Sequence, residues 1–204
     1  MSDTSTTDPG LRARNLRTLA LLAALFVVPL ALAFFTYYGT SWRPAARVNH
    51  GTLITPPRPL PPLDLPYETL GAANPGGAPA LRGVWSLLYV QEDACGQSCH
   101  AALYFMRQTR LALNVDMTRV ARVLVGTGRC CAREALAREY PGLVLIDAAG
   151  EAGTVLRYAL PAPNEHTVFV VDPLGNVMMS YDVRDNPRGL LEDLKKLLRL
   201  SHIG

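Results

Sequence analysis

Residues 84–103 read VWSLLYVQEDACGQSCHAAL. The first seven, VWSLLYV, form a short apolar run of the kind that fills a strand buried on both faces. From about Gln97 to Leu113 apolar side chains recur at helical spacing. Between the two lies a polar turn that carries Cys95 and ends one helical turn before Cys99. The opening unit is therefore strand, cysteine-bearing turn and helix, with two thiols where the helix begins.

The same alternation of periods continues toward the C-terminus. Residues 120–125 read as a second buried strand, 132–140 as a short helix stopped by Pro141 and Gly142, 143–146 as a third strand and 152–160 as another helix. Residues 167–171 and 177–182 flank Asp172-Pro173-Leu174-Gly175-Asn176, which is a hairpin signature. Asn186-Pro187 opens a last helix that runs to about Leu200, with proline at a first helical position, where its missing N–H costs nothing. The order is βαβαβαββα. Strands separated by helices predict parallel pairing, and the closing hairpin predicts an antiparallel edge. The fold class this implies is α/β, a thioredoxin-like fold with a central mixed sheet and flanking helices over residues 82–204.

Upstream of that domain, residues 18–38 (TLALLAALFVVPLALAFFTYY) carry no charge. About 21 residues at 1.5 Å each rise about 31 Å, the thickness of a bilayer's hydrocarbon core. The stretch is predicted to be an uncleaved transmembrane anchor, with Pro29 tolerated in lipid and Tyr37, Tyr38 and Trp42 forming an aromatic belt at its exit. Its partner is thus a lipid bilayer. Residues 1–17 form a cytoplasmic tail with Arg12, Arg14 and Arg17, although Arg43 and Arg47 on the far side leave the charge bias small. Residues 39–81 are rich in proline and glycine and show neither helical nor strand periodicity, so they read as a stalk, extended as polyproline II or an irregular spacer. His50 in that stretch reads as a solvated turn residue.

Composition narrows the function. With 17 acidic and 20 basic residues and a net charge of +3, the chain has no basic stripe to neutralise a phosphate backbone, which excludes a nucleic-acid partner. All four cysteines lie beyond the anchor: Cys95, Cys99, Cys130 and Cys131. A helix N-terminus favours thiolate over thiol, so Cys95 and Cys99 are candidates for a redox dithiol or for metal ligands, and a purely structural disulfide is the plainer reading. Covalent haem attachment uses CxxCH, whereas this chain has CxxxCH, which leaves His100 as a surface residue. Zinc sites usually gather four protein ligands, and only two cysteines stand together here.

In a thioredoxin-like sheet the strand after His166 lies beside the first, so His166 can approach Cys95 and Cys99. Two thiolates and an imidazole make a soft, open site suited to Cu(I), and to Cu(II) with the imidazole included. A satisfied structural histidine at a strand start is the alternative. The adjacent Cys130 and Cys131 would close a small strained ring if oxidised, so they are expected to be free thiols on the same rim, as a resolving thiol, an extra ligand or simply two small, partly buried side chains.

The segments WSLLYVQEDACGQSCHAAL (85–103) and EHTVFVVDPLGNVMMSYDV (165–183), together with an N-terminal span, resemble the Sco family of copper chaperones, which assemble cytochrome c oxidase. The resemblance implies that Cys95, Cys99 and His166 bind copper, with cytochrome c oxidase subunit II and other assembly factors as partners. It also implies copper delivery to the dinuclear centre of subunit II, or reduction of that centre's cysteines. Two alternatives stay open: a metal-independent thiol–disulfide oxidoreductase using Cys95 and Cys99, and a non-catalytic assembly scaffold. A reactive dithiol beyond a first anchor is expected to face the periplasm from a bacterial inner membrane.

Overall fold

The apolar runs become neighbouring strands of one seven-stranded sheet. A computed structural model describes residues 9–39, 48–61, 65–71, 81–126, 130–201 and 203. Trp42, Arg43 and Arg47 lie outside the described residues, as does most of the glycine-rich stretch before Leu81.

Two units are distinct. The first holds α1 (Pro9–Gly39), whose helix begins well ahead of the apolar run and so takes in Arg12, Arg14 and Arg17, residues predicted to lie in the tail. Its Arg12–Gly39 portion is long and apolar enough to cross a membrane, and Leu19, Phe26, Leu30 and Phe34 are exposed around it. A helix that is apolar on every side suits lipid, not a one-sided protein core.

The second unit starts at Val48. Its centre is β3 (Trp85–Gln91), followed by α2 (Gln97–Leu111), a 3₁₀ turn (Asn114–Arg119), β4 (Val120–Gly126), α3 (Arg133–Glu139), β5 (Leu143–Asp147), α4 (Gly150–Ala159), β6 (Thr167–Val171), β7 (Asn176–Asp182) and α5 (Pro187–Leu200). Strands β3, β4 and β5 pair in parallel, as strands joined through helices must, while β6 runs antiparallel to β3 and β7 antiparallel to β6. The hairpin turn is tied by Asp172, whose carboxylate accepts from the backbone N–H groups of Leu174 (3.0 Å) and Asn176 (2.8 Å). Side chains alternate across the sheet. Leu87, Tyr89, Leu124 and Val168 pack with α2 and α5, while Leu88, Val123, Phe169 and Val171 pack with Leu156 of α4.

The predicted stalk over residues 39–81 needs correction. Thr52–Pro59 forms β1, antiparallel to β7, and Tyr67–Thr69 forms β2, antiparallel to β5, so the sheet order is β1-β7-β6-β3-β4-β5-β2. Prolines hid β1 because they lack the N–H that a central strand needs. At an edge only one side of the strand is paired, and the register here breaks between Leu53 and Arg58, the stretch that holds Pro56 and Pro57. The hairpin's β7 is consequently covered, not an edge.

Candidate redox site

Both predicted cysteines of the CxxxC turn meet at the carboxyl end of β3. Cys95 and Cys99 form a disulfide, with Cα atoms 5.2 Å apart. Gly96 caps α2 without any side-chain hydrogen bond, so no capping side chain competes for the first-turn amides. Cys99 is only 1% exposed and belongs to the core beneath α2, whereas Cys95 is half-buried at the rim. A Cβ built on Gly96 meets nothing within 4 Å, so open space adjoins the turn. The pair is asymmetric: Cys95 is half-buried and Cys99 is buried.

Cys130 and Cys131 also form a disulfide, with Cα atoms 3.7 Å apart. That corrects the expectation of free thiols. The Cys130 sulfur is packed in place, since Cys130 is 3% exposed and its sulfur fills the space where Gly126 has no Cβ. Their predicted place on the same rim is borne out, because the Cys95 backbone N–H donates to the Cys130 carbonyl at 2.9 Å.

His166 stands on the loop before β6. Asn164 shapes that loop by accepting from the His166 backbone N–H (2.8 Å) and the Thr167 hydroxyl (2.9 Å). Tyr89 on β3 donates to the Glu165 carbonyl at 2.8 Å, and burial, then the Glu165 charge, pushes this phenol up to about 12, so it remains a donor. The Glu165 carboxylate in turn accepts from Ser98, inside the CxxxC turn, at 3.1 Å. The His166 ring places Nε2 3.3 Å from Glu165, while Nδ1 is buried and has no hydrogen-bond partner. The loop thus reaches the cysteine turn through Glu165. Among the described residues, no group of three or more His, Cys, Asp or Glu side chains is gathered closely enough to hold a metal ion. His100 is exposed and lies 3.7 Å from Glu139, the surface position predicted for it.

Sequence reasoning missed a polar knot on α5. Asp193, 5% exposed, accepts from the backbone N–H groups of His50 (2.7 Å) and Gly51 (3.2 Å) and from the Tyr181 hydroxyl (2.6 Å), with His50 Nδ1 at 3.3 Å. His50 is therefore a clamp on the segment that leads into β1 and not a free turn residue. An acid on the stripe formed by Leu190, Leu194 and Leu197 was the available signal, since an unpaired carboxylate would not be placed there.

Among solved structures the chain is similar to copper-bound ScoI of Bradyrhizobium japonicum (16% identity, TM-score 0.46, covering 58% of this chain and 88% of that one). It is also similar to the thioredoxin domain of a thiol-disulfide oxidoreductase of Bacteroides vulgatus (16%, 0.44, 66% and 94%) and to peroxiredoxin Q of Xanthomonas campestris (17%, 0.45, 66% and 96%). No curated protein matches. A family model described as "Transmembrane-like, thioredoxin-like, C-terminal domain" matches residues 85–201, a span that takes in the CxxxC turn, the vicinal pair and His166, and the chain belongs to that family.

Proposed function

We propose that the chain is a membrane-anchored thiol–disulfide oxidoreductase whose working pair is Cys95 and Cys99, held on the oxidising, periplasmic side of a bacterial inner membrane. The observation that carries this reading is the asymmetry of the pair at the start of α2: a half-buried Cys95 bonded to a Cys99 that is 1% exposed. A partner thiolate attacks the Cys95 sulfur, the S–S bond breaks, and Cys99 leaves as a thiolate that the α2 amides stabilise. The partner's second thiolate then attacks its own sulfur in the mixed disulfide and releases Cys95. The partner dithiol is oxidised by two electrons, and Cys95 and Cys99 end as thiols. Run in reverse, the same steps reduce a partner disulfide, and the cysteines of a dinuclear copper centre in cytochrome c oxidase subunit II are substrates of that chemistry.

A second reading has its own support. The buried Nδ1 of His166 has no partner, and the loop that carries it is tied through Glu165 to Ser98 between the two cysteines. With the disulfide reduced, Cys95, Cys99 and His166 offer two soft sulfurs and an imidazole, a donor set that fits copper as cargo for delivery to subunit II. In this reading reduction precedes loading, because bridged sulfurs are not thiolate ligands.

His166→Ala separates the two readings. In the full chain in detergent, the exchange reading expects the variant to exchange with a glutathionylated peptide within about twofold of wild type, since only sulfur chemistry is involved. A loss of exchange comparable to that of a cysteine variant would overturn it. The copper reading expects the reduced wild type to bind one copper ion and His166→Ala to lose that stoichiometry, as read by metal analysis after gel filtration. Retained one-to-one binding would remove His166 from the ligand set.

A further inference from the structure

We propose that Cys130 and Cys131 form a second redox centre, which trades its disulfide with Cys95–Cys99 inside the same chain. This rests on the exchange reading above and extends it to a pair of residues that the reading leaves unused.

Placement carries the argument. Parallel pairing of β3 with β4 sets Gln91 opposite Gly126, so the two strands end side by side. The Cys95 N–H to Cys130 carbonyl hydrogen bond (2.9 Å) then ties one cysteine loop to the other at the cysteines themselves. Cys95 and Cys131 are both half-buried and pack against the same core cluster that contains Cys99. Gly126 makes the arrangement possible, because a Cβ there would overlap the Cys130 sulfur.

A staple is the competing explanation, and its energetics are poor. A disulfide stabilises by restricting the unfolded chain, an effect that shrinks with the loop it closes. Cys130 and Cys131 are adjacent, so their bond restricts almost nothing. Exchange chemistry gives the pair a role that stapling does not.

The transfer balances in two steps. After a partner dithiol has reduced Cys95–Cys99, the Cys95 thiolate attacks one sulfur of the Cys130–Cys131 bond. That bond breaks, a Cys95 mixed disulfide forms, and the sulfur released takes a proton from water. The Cys99 thiolate next attacks the Cys95 sulfur, restores Cys95–Cys99, and frees the attacked cysteine as a second thiolate, which is protonated likewise. Two electrons and two protons pass from the first pair to the second, and a further partner dithiol can reduce Cys95–Cys99 again.

The test uses the full chain in detergent with dithiothreitol as reductant. The rate at which Cys130–Cys131 is reduced, read by timed alkylation and peptide mass mapping, should fall at least tenfold in Cys95→Ser relative to wild type. Equal rates, or a vicinal pair that stays bridged in the folded wild-type chain, would overturn the proposal. In Cys99→Ser, a bridge from Cys95 to Cys130 or Cys131 should accumulate after mild reduction. Recovery of Cys95 as a free thiol beside an intact Cys130–Cys131 bond would also overturn it. The rate comparison stands even where Cys99→Ser does not fold. If Cys95–Cys99 exchanges freely while Cys130–Cys131 does not, only this inference fails; if Cys95–Cys99 itself resists reduction in the folded chain, the reading beneath it fails as well.

Discussion

Cys95→Ser should lower the rate of thiol–disulfide exchange with a glutathionylated peptide by at least about a thousandfold, because it removes the attacking and attacked sulfur together. Cys99→Ser should behave differently. Cys95 remains half-buried at the rim and able to form the first mixed disulfide, but the buried sulfur that resolves it is gone. One partner molecule should therefore stay covalently attached to each chain, visible as a mass shift that dithiothreitol reverses. The asymmetry in exposure sets the order of events. If the two serine variants exchanged roles, with Cys95→Ser trapping the partner through Cys99, the assignment of the accessible sulfur would be wrong. If both variants retained exchange, the pair would have no role in it.

Asp193→Ala should be the most damaging change away from the cysteines. Its carboxylate accepts from two part-buried backbone N–H groups and from the buried Tyr181 hydroxyl. Truncation leaves the buried Tyr181 hydroxyl without its acceptor and releases the two part-buried amides, at a cost of about 2 kcal/mol, which for a domain of this size lowers the melting temperature by about 6 °C. The segment entering β1 should loosen first, since the His50 and Gly51 amides are what Asp193 holds. Hydrogen exchange at those amides, faster in the variant than in wild type, would locate the effect. Unchanged protection there would mean that β1 is held by its pairing with β7 alone.

The same carboxylate makes stability depend on pH. Burial by itself would raise the pKa of Asp193, but hydrogen bonds from Tyr181, the His50 and Gly51 amides and the His50 ring outweigh it and hold the carboxyl below its ordinary value. A carboxyl that is more acidic when folded contributes stability above its unfolded pKa, near 4, and loses that contribution as the pH falls through the lowered value. Wild-type stability should thus decline below about pH 4, and Asp193→Asn should lack that portion of the decline.

Much of the fold was legible because the central strands are buried on both faces. VWSLLYV, VARVLVG and TVFVV announce themselves as mainly apolar runs, broken only by Ser86 and Arg122 within the first two, and each became a strand within one or two residues of its predicted limits. The edges were not legible. In β1 the residues TLITPPRP carry more local preference for an extended, unpaired chain than for a ladder, and only the exposed flank of β7 gives them a partner. Tertiary pairing overrode local preference there, as it did for His50, whose role depends on an acid far along the chain.

The site divides along the same line. Cys95 and Cys99 could be placed from sequence because a strand-to-helix turn fixes their separation, and the neighbouring rim position of Cys130 and Cys131 followed from parallel strand order. Whether adjacent cysteines bridge depends on the local backbone at Cys130 and Cys131 and on the space beside Gly126, which no periodicity describes. For His166, sequence supplied the loop and its proximity to β3. The direction of its ring depends on Asn164 and Glu165, whose contacts arise only once Tyr89 and Ser98 are in place. The Glu165–Ser98 link joins the two halves of the site without passing through a metal.

Redox titration of the Cys95–Cys99 pair in the folded full chain tests the central claim most directly. Equilibrated against a series of dithiol buffers in detergent, with thiols trapped by alkylation and helicity followed in parallel, the pair should show a reversible two-electron transition above about −300 mV while the fold stays intact. A pair that remains bridged to lower potentials, and is reduced only as helicity disappears, would make Cys95–Cys99 a structural disulfide and contradict the account.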